Sequence, residues 1–198
     1  KFYTSKKEIE HTAPLVLSEG PEERKSYRIL IIFNKKNAKN ILSIANSISK
    51  QNDGEIIFLS TVNVPRQTAI QYTHGISDSA IKTFDEFKKD TEHSIRYRYI
   101  VRLAHDETEA ILSTILEQSV NVLMADFEFL RNSRKLWTLS TCDIIGVKSK
   151  PDFKNELANI VLSYDKGRHS KLGLEIASCL AKSNGSKIRI VRGITGTN

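Results

Sequence analysis

Histidine, cysteine and carboxylate side chains could carry acid–base or metal chemistry in this chain, but their spacing favours neither. The five histidines are scattered, and no pair has the spacing of metal ligands. His105-Asp106 follows a predicted strand, where α/β sheets commonly bind ligands, yet Asp106 as a helix N-cap explains the pair equally well. No nucleophile elbow, Walker loop or dinucleotide-binding glycine motif occurs. We therefore expect no catalytic residue, no metal site and no enzymatic activity.

Arginines alternate with tyrosines near the middle of the chain. Arg96, Arg98 and Arg102 share one face of a predicted strand, and Tyr97 and Tyr99 lie on the other. At a sheet edge, such a strand could bind a nucleic-acid backbone. Charges on an edge strand more often prevent edge-to-edge aggregation. We favour edge protection and expect no nucleic-acid partner, which leaves RNA binding as the less favoured alternative.

These residues are positioned by strands that alternate with helices. The predicted strands are 27–33, 55–63, 96–103, 122–125 and 144–147, and the predicted helices are 37–51, 77–94 and 107–119. This alternation predicts an α/β fold with a doubly wound, mostly parallel sheet of five strands in the order 3-2-1-4-5. The third strand would then lie at the sheet edge.

The first strand–helix–strand unit is repeated near the end of the chain. Residues 27–56 and 158–187 match along the strand and the helix, and Gly54 aligns with Gly185 before the second strand. The predicted divisions are a linker at 1–25, a first α/β domain at 26–150 and the N-terminal half of a second at 151–198. Within the linker, 15–17 is predicted to be extended.

Composition narrows the classes of protein to consider. The chain has 198 residues, of which 39% are hydrophobic, enough for a packed core. Its net charge of +7 is spread along the sequence, which permits an anionic partner without requiring one. Cys142 and Cys179 have no metal-ligand spacing, which favours a reducing, cytoplasmic compartment. No apolar run approaches the ~20 residues of a membrane helix.

The order and local sequence of these elements resemble the universal stress protein family. The matching segments are Phe33-Asn34, Gly54, Val62-Asn63-Val64-Pro65, His105 to Ile111, Cys142 to Ile145 and Tyr164-Asp165. The resemblance extends over about 27–195 of the sequence. It implies the doubly wound fold described above, and many members of that family bind ATP.

The resemblance also implies where phosphates would bind, and the first copy departs from that pattern. Family members hold them with Gly-x-x-Gly and a later Gly-Ser or Gly-Thr after the fourth strand, since glycines let backbone N–H groups surround an anion. The stretch between Met124 and Cys142 is shorter and contains no glycine, while Asp126 and Glu128 add negative charge. We expect no cofactor in the first copy.

The residue beside adenosine in the family is an aspartate at the end of the first strand. Asn34 replaces it in the first copy, whereas Asp165, followed by Gly167, matches it in the second. The resemblance therefore allows ATP or another adenine nucleotide as a cofactor of the second copy.

The segment that replaces the glycine loop carries basic and aromatic residues. Arg131, Arg134 and Lys135 are interpreted as a solvated helix face, because runs of charge are usually solvated. Trp137 is interpreted as a packing residue.

Tandem domains of this kind resemble the cytosolic C-terminal regions of amino acid permeases and related cation-coupled transporters. The resemblance implies a non-catalytic, cytoplasmic regulatory or assembly domain, tethered to the membrane through the N-terminal linker. Its partners would be the transmembrane domain of the same chain and a second copy or a homodimer, joined through Ile144, Ile145 and Val147. The alternative is a free-standing universal stress protein that binds ATP or another adenine nucleotide through the second copy.

Overall fold

The computed structural model describes residues 15–20, 25–66, 77–91, 95, 97–148 and 159–192. Its strands are β1 (Leu15–Glu19), β2 (Arg28–Ile32), β3 (Glu55–Asn63), β4 (Arg98–Ala104), β5 (Val122–Asp126), β6 (Asp143–Val147), β7 (Asn159–Ser163) and β8 (Lys187–Val191). Its helices are α1 (Ala38–Asn52), α2 (Asp78–Lys89), α3 (Glu107–Glu117), α4 (Phe127–Asn132), α5 (Arg134–Leu139) and α6 (Arg168–Asn184). The α/β alternation predicted from the sequence is confirmed.

The main sheet has six described strands in the order β1-β4-β3-β2-β5-β6, so the prediction of five strands was incomplete. The additional strand is β1, which lies in the segment predicted as a linker and pairs antiparallel with β4, with Leu17 opposite Val101. All other neighbours in this sheet run parallel. The β4 strand is buried along its whole length, and β1 supplies partners for backbone groups that a bare edge would leave unpaired.

One face of the main sheet packs against α1 and α2 through aliphatic and aromatic side chains. Six rings form a continuous cluster there, those of Phe33, Phe58, Phe84, Phe87, Tyr97 and Tyr99. The rings of Phe84 and Tyr99 are stacked, with centroids 3.6 Å apart. The phenol of Tyr99 donates to the carbonyl oxygen of Ala80 over 3.3 Å, and burial raises the pKa of Tyr99 to about 12.

The opposite face of the sheet packs against α3, α4 and α5. Leu30, Ile57 and Leu123 contribute from the strands, and Leu130 and Leu136 contribute from the two short helices, all fully buried. Burial on both faces explains why the central strands are apolar at nearly every position.

The arginines of β4 are buried, which contradicts their interpretation as a protective edge and removes them as a nucleic-acid surface. Arg98 is 4% exposed and Arg102 is 2% exposed. Arg98 forms an ion pair with Glu55, and Arg102 forms one with Glu117 of α3. Two tertiary features produce this result: β1 covers the edge, and Glu55 of β3 together with Glu117 and Gln118 at the end of α3 supplies partners on this face of β4. Arg96 lies outside the described residues.

The same kind of turn ends α1 and α6. Comparing the two turns shifts the sequence alignment of the two strand–helix–strand units by one residue. The backbone is left-handed at Asp53 (φ 46°) and at Gly185 (φ 66°). Gly54 and Ser186 follow these two residues, and each donates its backbone N–H to the carbonyl oxygen of the residue five positions earlier. This hydrogen bond commonly closes a helix. Gly185 is therefore the counterpart of Asp53, one position from the match that the sequence suggested.

A second parallel pair, β7–β8, packs with α6 as a separate strand–helix–strand unit. The α6 helix lies against α1, where Ile176 and Cys179 contact the core on the α1 side of the main sheet. Ser183 also donates from Oγ to the carbonyl oxygen of Ser47 over 3.4 Å. Across the described ranges, no helix has the length and apolar composition needed to cross a bilayer.

Candidate functional site

The carboxyl ends of β2, β3 and β5 form the edge of the sheet where doubly wound proteins bind ligands. Asn34 follows β2, and its backbone carbonyl accepts the N–H groups of Asn37 and Ala38 at 3.0 and 2.9 Å. Its side-chain Oδ1 accepts the N–H of Lys36 at 3.1 Å. The side chain of Asn34 therefore shapes the turn into α1, and it is exposed beside the sheet edge.

Asp126 ends β5 and occupies the N-terminus of α4. Its Oδ1 accepts the backbone N–H groups of Glu128 at 2.8 Å and Phe129 at 3.3 Å. Its Oδ2 accepts the side-chain amide of Asn37, which links the start of α1 to the start of α4 across the sheet edge. The sequence indicated that Asp126 would oppose phosphate, but the contact with Asn37 was missed because the two residues are far apart along the chain.

This arrangement fills the position where a helix N-terminus could hold an anion. The N–H groups that would surround a phosphate oxygen are already bonded to the Asp126 carboxylate, whose charge would repel the ligand. The α4 helix is also only six residues long. This part of the edge therefore has neither the donors nor the charge that phosphate binding requires.

A polar cleft of about 400 Å³ lies on the other side of β2, towards β3 and α2. It is lined mainly by hydroxyl and amide side chains, those of Ser60, Thr61, Asn63, Ser79 and Thr83, together with Phe33, Lys35, Val62 and Ala80. Sequence reasoning missed this cleft, because its residues come from three separate segments without a shared motif.

Among the described residues that line this cleft, Lys35 alone is charged. Its Nζ lies 2.6 Å from Oε2 of Glu86, and this hydrogen bond lowers the pKa of Glu86. On the neighbouring segment, Thr61 donates from Oγ1 to Oε1 of Glu107 over 2.7 Å. The cleft can therefore offer hydroxyl groups to a small polar molecule, while its cation already has an acidic partner.

The loop between β7 and α6 holds the second set of predicted residues. Asp165 Oδ1 accepts the N–H of Gly167 at 2.7 Å and the hydroxyl of Ser170, and the Ser170 contact is the main cause that lowers the pKa of Asp165. A β-carbon at Gly167 would lie 2.9 Å from that oxygen, so a larger residue there would displace the Asp165 carboxylate. The structure places Asp165 and Gly167 together in one exposed turn that begins α6.

The other candidate residues that the structure describes are Asp106 and two of the five histidines. Nδ1 of His105 lies 2.8 Å from the carbonyl oxygen of Val64, and Asp106 caps α3 through Thr108 and Glu109. His169 is exposed on the first turn of α6. His11, His74 and His93 lie outside the described residues, and the described ones contain no cluster of His, Cys, Asp and Glu suited to a metal ion.

The predicted pairing strand is β6, whose one neighbour among the described strands is β5. Ile145 packs towards the α1 face of the sheet and Ile144 towards the α3 face, and Val147 is nearly buried. Pairing through this strand would therefore use its backbone edge more than these side chains.

The interpretation of Trp137 as a packing residue is only partly correct. Its Nε1–H donates to the carbonyl oxygen of Leu130 over 2.8 Å, yet half of the residue is exposed. The basic residues nearby are solvated, as expected: Arg131 pairs with Glu128, and Lys135 lies 3.6 Å from Asp106.

No protein-family model matches this sequence, and no curated protein matches it. Solved structures do match. A universal stress protein from Archaeoglobus fulgidus matches with a TM-score of 0.58 and 15% sequence identity. The match covers 88% of this chain and 68% of the Archaeoglobus fulgidus chain.

Two further structures are similar to a smaller part of this chain. UspA from Lactobacillus plantarum matches with a TM-score of 0.47 and 10% sequence identity. The match covers 64% of this chain and 100% of the UspA chain. A universal stress protein in complex with cAMP has a TM-score of 0.42 and 10% identity, covering 63% of this chain and 98% of its own. The likeness to the Archaeoglobus fulgidus structure shows that this chain has the universal stress protein fold.

Proposed function

We propose that this chain is a non-catalytic regulatory or assembly domain in which the main α/β unit has lost nucleotide binding. The observation that carries the proposal is the Asp126 carboxylate, which caps α4 and binds Asn37 where a phosphate would lie. A domain that keeps the fold, but places its own carboxylate where a phosphate would bind, is suited to holding partner proteins in place.

We propose further that the partner is a membrane transporter of the amino acid permease type and that this domain lies on its cytoplasmic face. Support comes from the resemblance of the tandem arrangement and from Lys1, Lys6 and Lys7, since lysines near a membrane segment favour the cytoplasmic side. The gene sequence tests this assignment. About a dozen apolar spans of ~20 residues encoded before Lys1 would support it, and a short polar leader would contradict it.

The absence of nucleotide binding is tested by calorimetric titration of ATP, ADP, AMP and cAMP into the purified chain. We expect no heat of binding from wild type. The matched variants are Asp126→Asn, which removes the charge at the main sheet, and Asp165→Asn, which removes it from the β7–α6 turn. Binding by wild type that persists in Asp165→Asn would place a nucleotide in the main unit and overturn the proposal.

A second candidate function is binding of ATP or another adenine nucleotide through the β7–α6–β8 unit. The observation that favours it is the exposed turn at Asp165, where glycine permits a close approach and the carboxylate can accept hydroxyl groups of a ribose. The fold similarity to the Archaeoglobus fulgidus structure covers 88% of this chain, which is more than residues 1–148 alone, so it includes part of the β7–α6–β8 unit. Wild-type binding that disappears in Asp165→Asn would favour this candidate.

A further inference from the structure

The β7–β8 sheet has an open face on the side away from α6. The parallel register and the alternation of side chains place six exposed residues on this face, namely Asn159, Val161, Ser163, Lys187, Arg189 and Val191. The other face packs on the helix, where Leu162 contacts the position of Gly173. Because parallel sheets are normally covered on both faces, we expect a further element to pack on the open one.

The open face combines apolar side chains with unneutralised positive charge. Val161 is 66% exposed and Val191 is 47% exposed. Neither Lys187 nor Arg189 forms an ion pair with any residue that the structure describes, although residues 159–192 include seven lysines and arginines and only two acids. The surface that covers this face should therefore be both apolar and acidic.

The α3 helix has that composition on its exposed side. Its eleven residues include three glutamates and no lysine or arginine. Glu109 and Leu116 are seven positions apart, so they project within about 20° of each other around the helix axis. Both are exposed, Leu116 to 57%, and Glu109 has no ion pair among the described residues. One stripe of α3 thus presents an apolar side chain and a free carboxylate.

The two surfaces lie on opposite sides of the main sheet within one chain. The α6 helix, which carries the β7–β8 sheet, packs against α1 on one face of the main sheet. The α3 helix packs on the other face through Ile111 and Ile115. Contact between the open face and α3 consequently requires two copies of the chain.

We propose that the open face of β7–β8 in one copy of the chain docks on α3 of a second copy. The valines of the open face would pack on Leu116, and Arg189 would pair with Glu109. Burial of the apolar side chains favours association, while the complementary charges select the partner and its orientation. The contact joins two different surfaces, so it is head-to-tail and separate from pairing through β6. It does not rest on the proposed function.

An exchange of charges tests this contact directly. Wild type should associate with increasing concentration in sedimentation velocity, and added salt should weaken the association. Glu109→Lys and Arg189→Glu should each weaken self-association by roughly tenfold, because each places like charges opposite one another. An equal mixture of the two variants should associate again, since every contact between unlike chains then joins opposite charges.

Two further variants separate the open face from general effects of charge and hydrophobicity. Lys182→Glu makes the same change in net charge as Arg189→Glu, but at an exposed position of α6, and should leave association unchanged. Val161→Ser should weaken association several-fold through loss of apolar contact. Circular dichroism of each variant establishes that it is folded.

Three results would overturn the proposal. The first is a folded wild type that stays monomeric at its highest soluble concentration, which would leave the open face to a different protein. The second is a mixture of Glu109→Lys and Arg189→Glu that associates no better than either variant alone. The third is equal weakening by Lys182→Glu and Arg189→Glu. None of these results affects the nucleotide titrations, so the two proposals fail independently.

Discussion

Arg98 donates from Nε to Oε1 of Glu55 over 3.0 Å, and both side chains are almost completely buried. Arg28 approaches the other carboxylate oxygen of Glu55 at 3.3 Å, and Gln118 accepts from Nη2 of Arg98 at 2.5 Å. Two arginines thus share one carboxylate where β2, β3 and β4 begin. Because buried charges are costly when unpaired, this network should fix the position of α3 against the sheet.

Loss of one partner from this network should be destabilising. We expect Arg98→Met to lower the free energy of unfolding by about 1–3 kcal/mol, since Glu55 and Gln118 would lose a buried donor while Arg28 still balances the charge of Glu55. Lys35→Met, which breaks the exposed pair with Glu86, should cost less than about 1 kcal/mol. Urea denaturation of both variants provides the comparison, and equal effects would show that the burial of Arg98 has no energetic consequence.

The Asp126 cap should contribute more to stability than an ordinary helix cap. Asp126→Ala should lower the free energy of unfolding by about 1–2 kcal/mol through loss of the N-cap, with an added cost from the unpaired amide of Asn37. Asp106→Ala is a matched control, because Asp106 accepts the same pattern of two backbone bonds at the start of α3. A smaller loss for Asp126→Ala than for Asp106→Ala would contradict the role given to Asn37.

Tyr99 should make stability depend on pH in the alkaline range. Burial raises its pKa from 10.0 to about 12, so the unfolded chain ionises first as the pH rises. The stability that Tyr99 contributes is therefore complete below the unfolded pKa and is lost as the pH rises through the folded one. Wild type should lose stability relative to Tyr99→Phe between those two values. Urea denaturation of both proteins across this window tests the prediction, and parallel pH profiles would contradict it.

The contact between α6 and α1 should be separable from the fold of the main sheet. Ile176→Asp places a charge against α1 and should release the β7–α6–β8 unit, because an unpaired charge in an apolar contact is unfavourable. The reaction of the Cys179 thiol with Ellman's reagent should then become several-fold faster, since local opening controls access.

Cys142 is the internal reference for this measurement, because burial raises the pKa of its thiol and it directly precedes β6 of the main sheet. Glu175→Gln, an exposed change on the same helix, should alter neither rate. Equal acceleration at Cys142 and Cys179 would indicate that Ile176→Asp unfolds the whole chain.

Pairing through β6 remains a prediction with its own test. Ile145→Lys should reduce association of the chain in sedimentation velocity, because it places a charge at the strand that would join two copies. The substitution should also cost stability, since Ile145 contacts the core, so the measurement needs a protein shown to be folded by circular dichroism. Unchanged association in folded Ile145→Lys would contradict a contribution of Ile145 to this pairing.

The sequence alone determined the alternation of strands and helices and the absence of glycine from the segment between β5 and β6. The spacing of Ala38, Ile41, Ala45 and Ile48 predicts one helix face, and the structure buries all four. The missing glycines between Met124 and Cys142 excluded a backbone that surrounds phosphate. These conclusions depend on neighbours in the chain, and a local pattern contains that information.

Tertiary structure decided the environment of each charged and aromatic side chain. Arg98 and Arg102 follow the same alternating pattern as a solvated edge, but β1 covers that edge, Glu55 of β3 pairs with Arg98 and Glu117 of α3 pairs with Arg102. Asn37 and Asp126 meet because parallel strands bring their carboxyl ends to one side of the sheet. Burial and pairing depend on which distant segments pack together, so alternation along a single strand cannot distinguish a solvated arginine from a buried one.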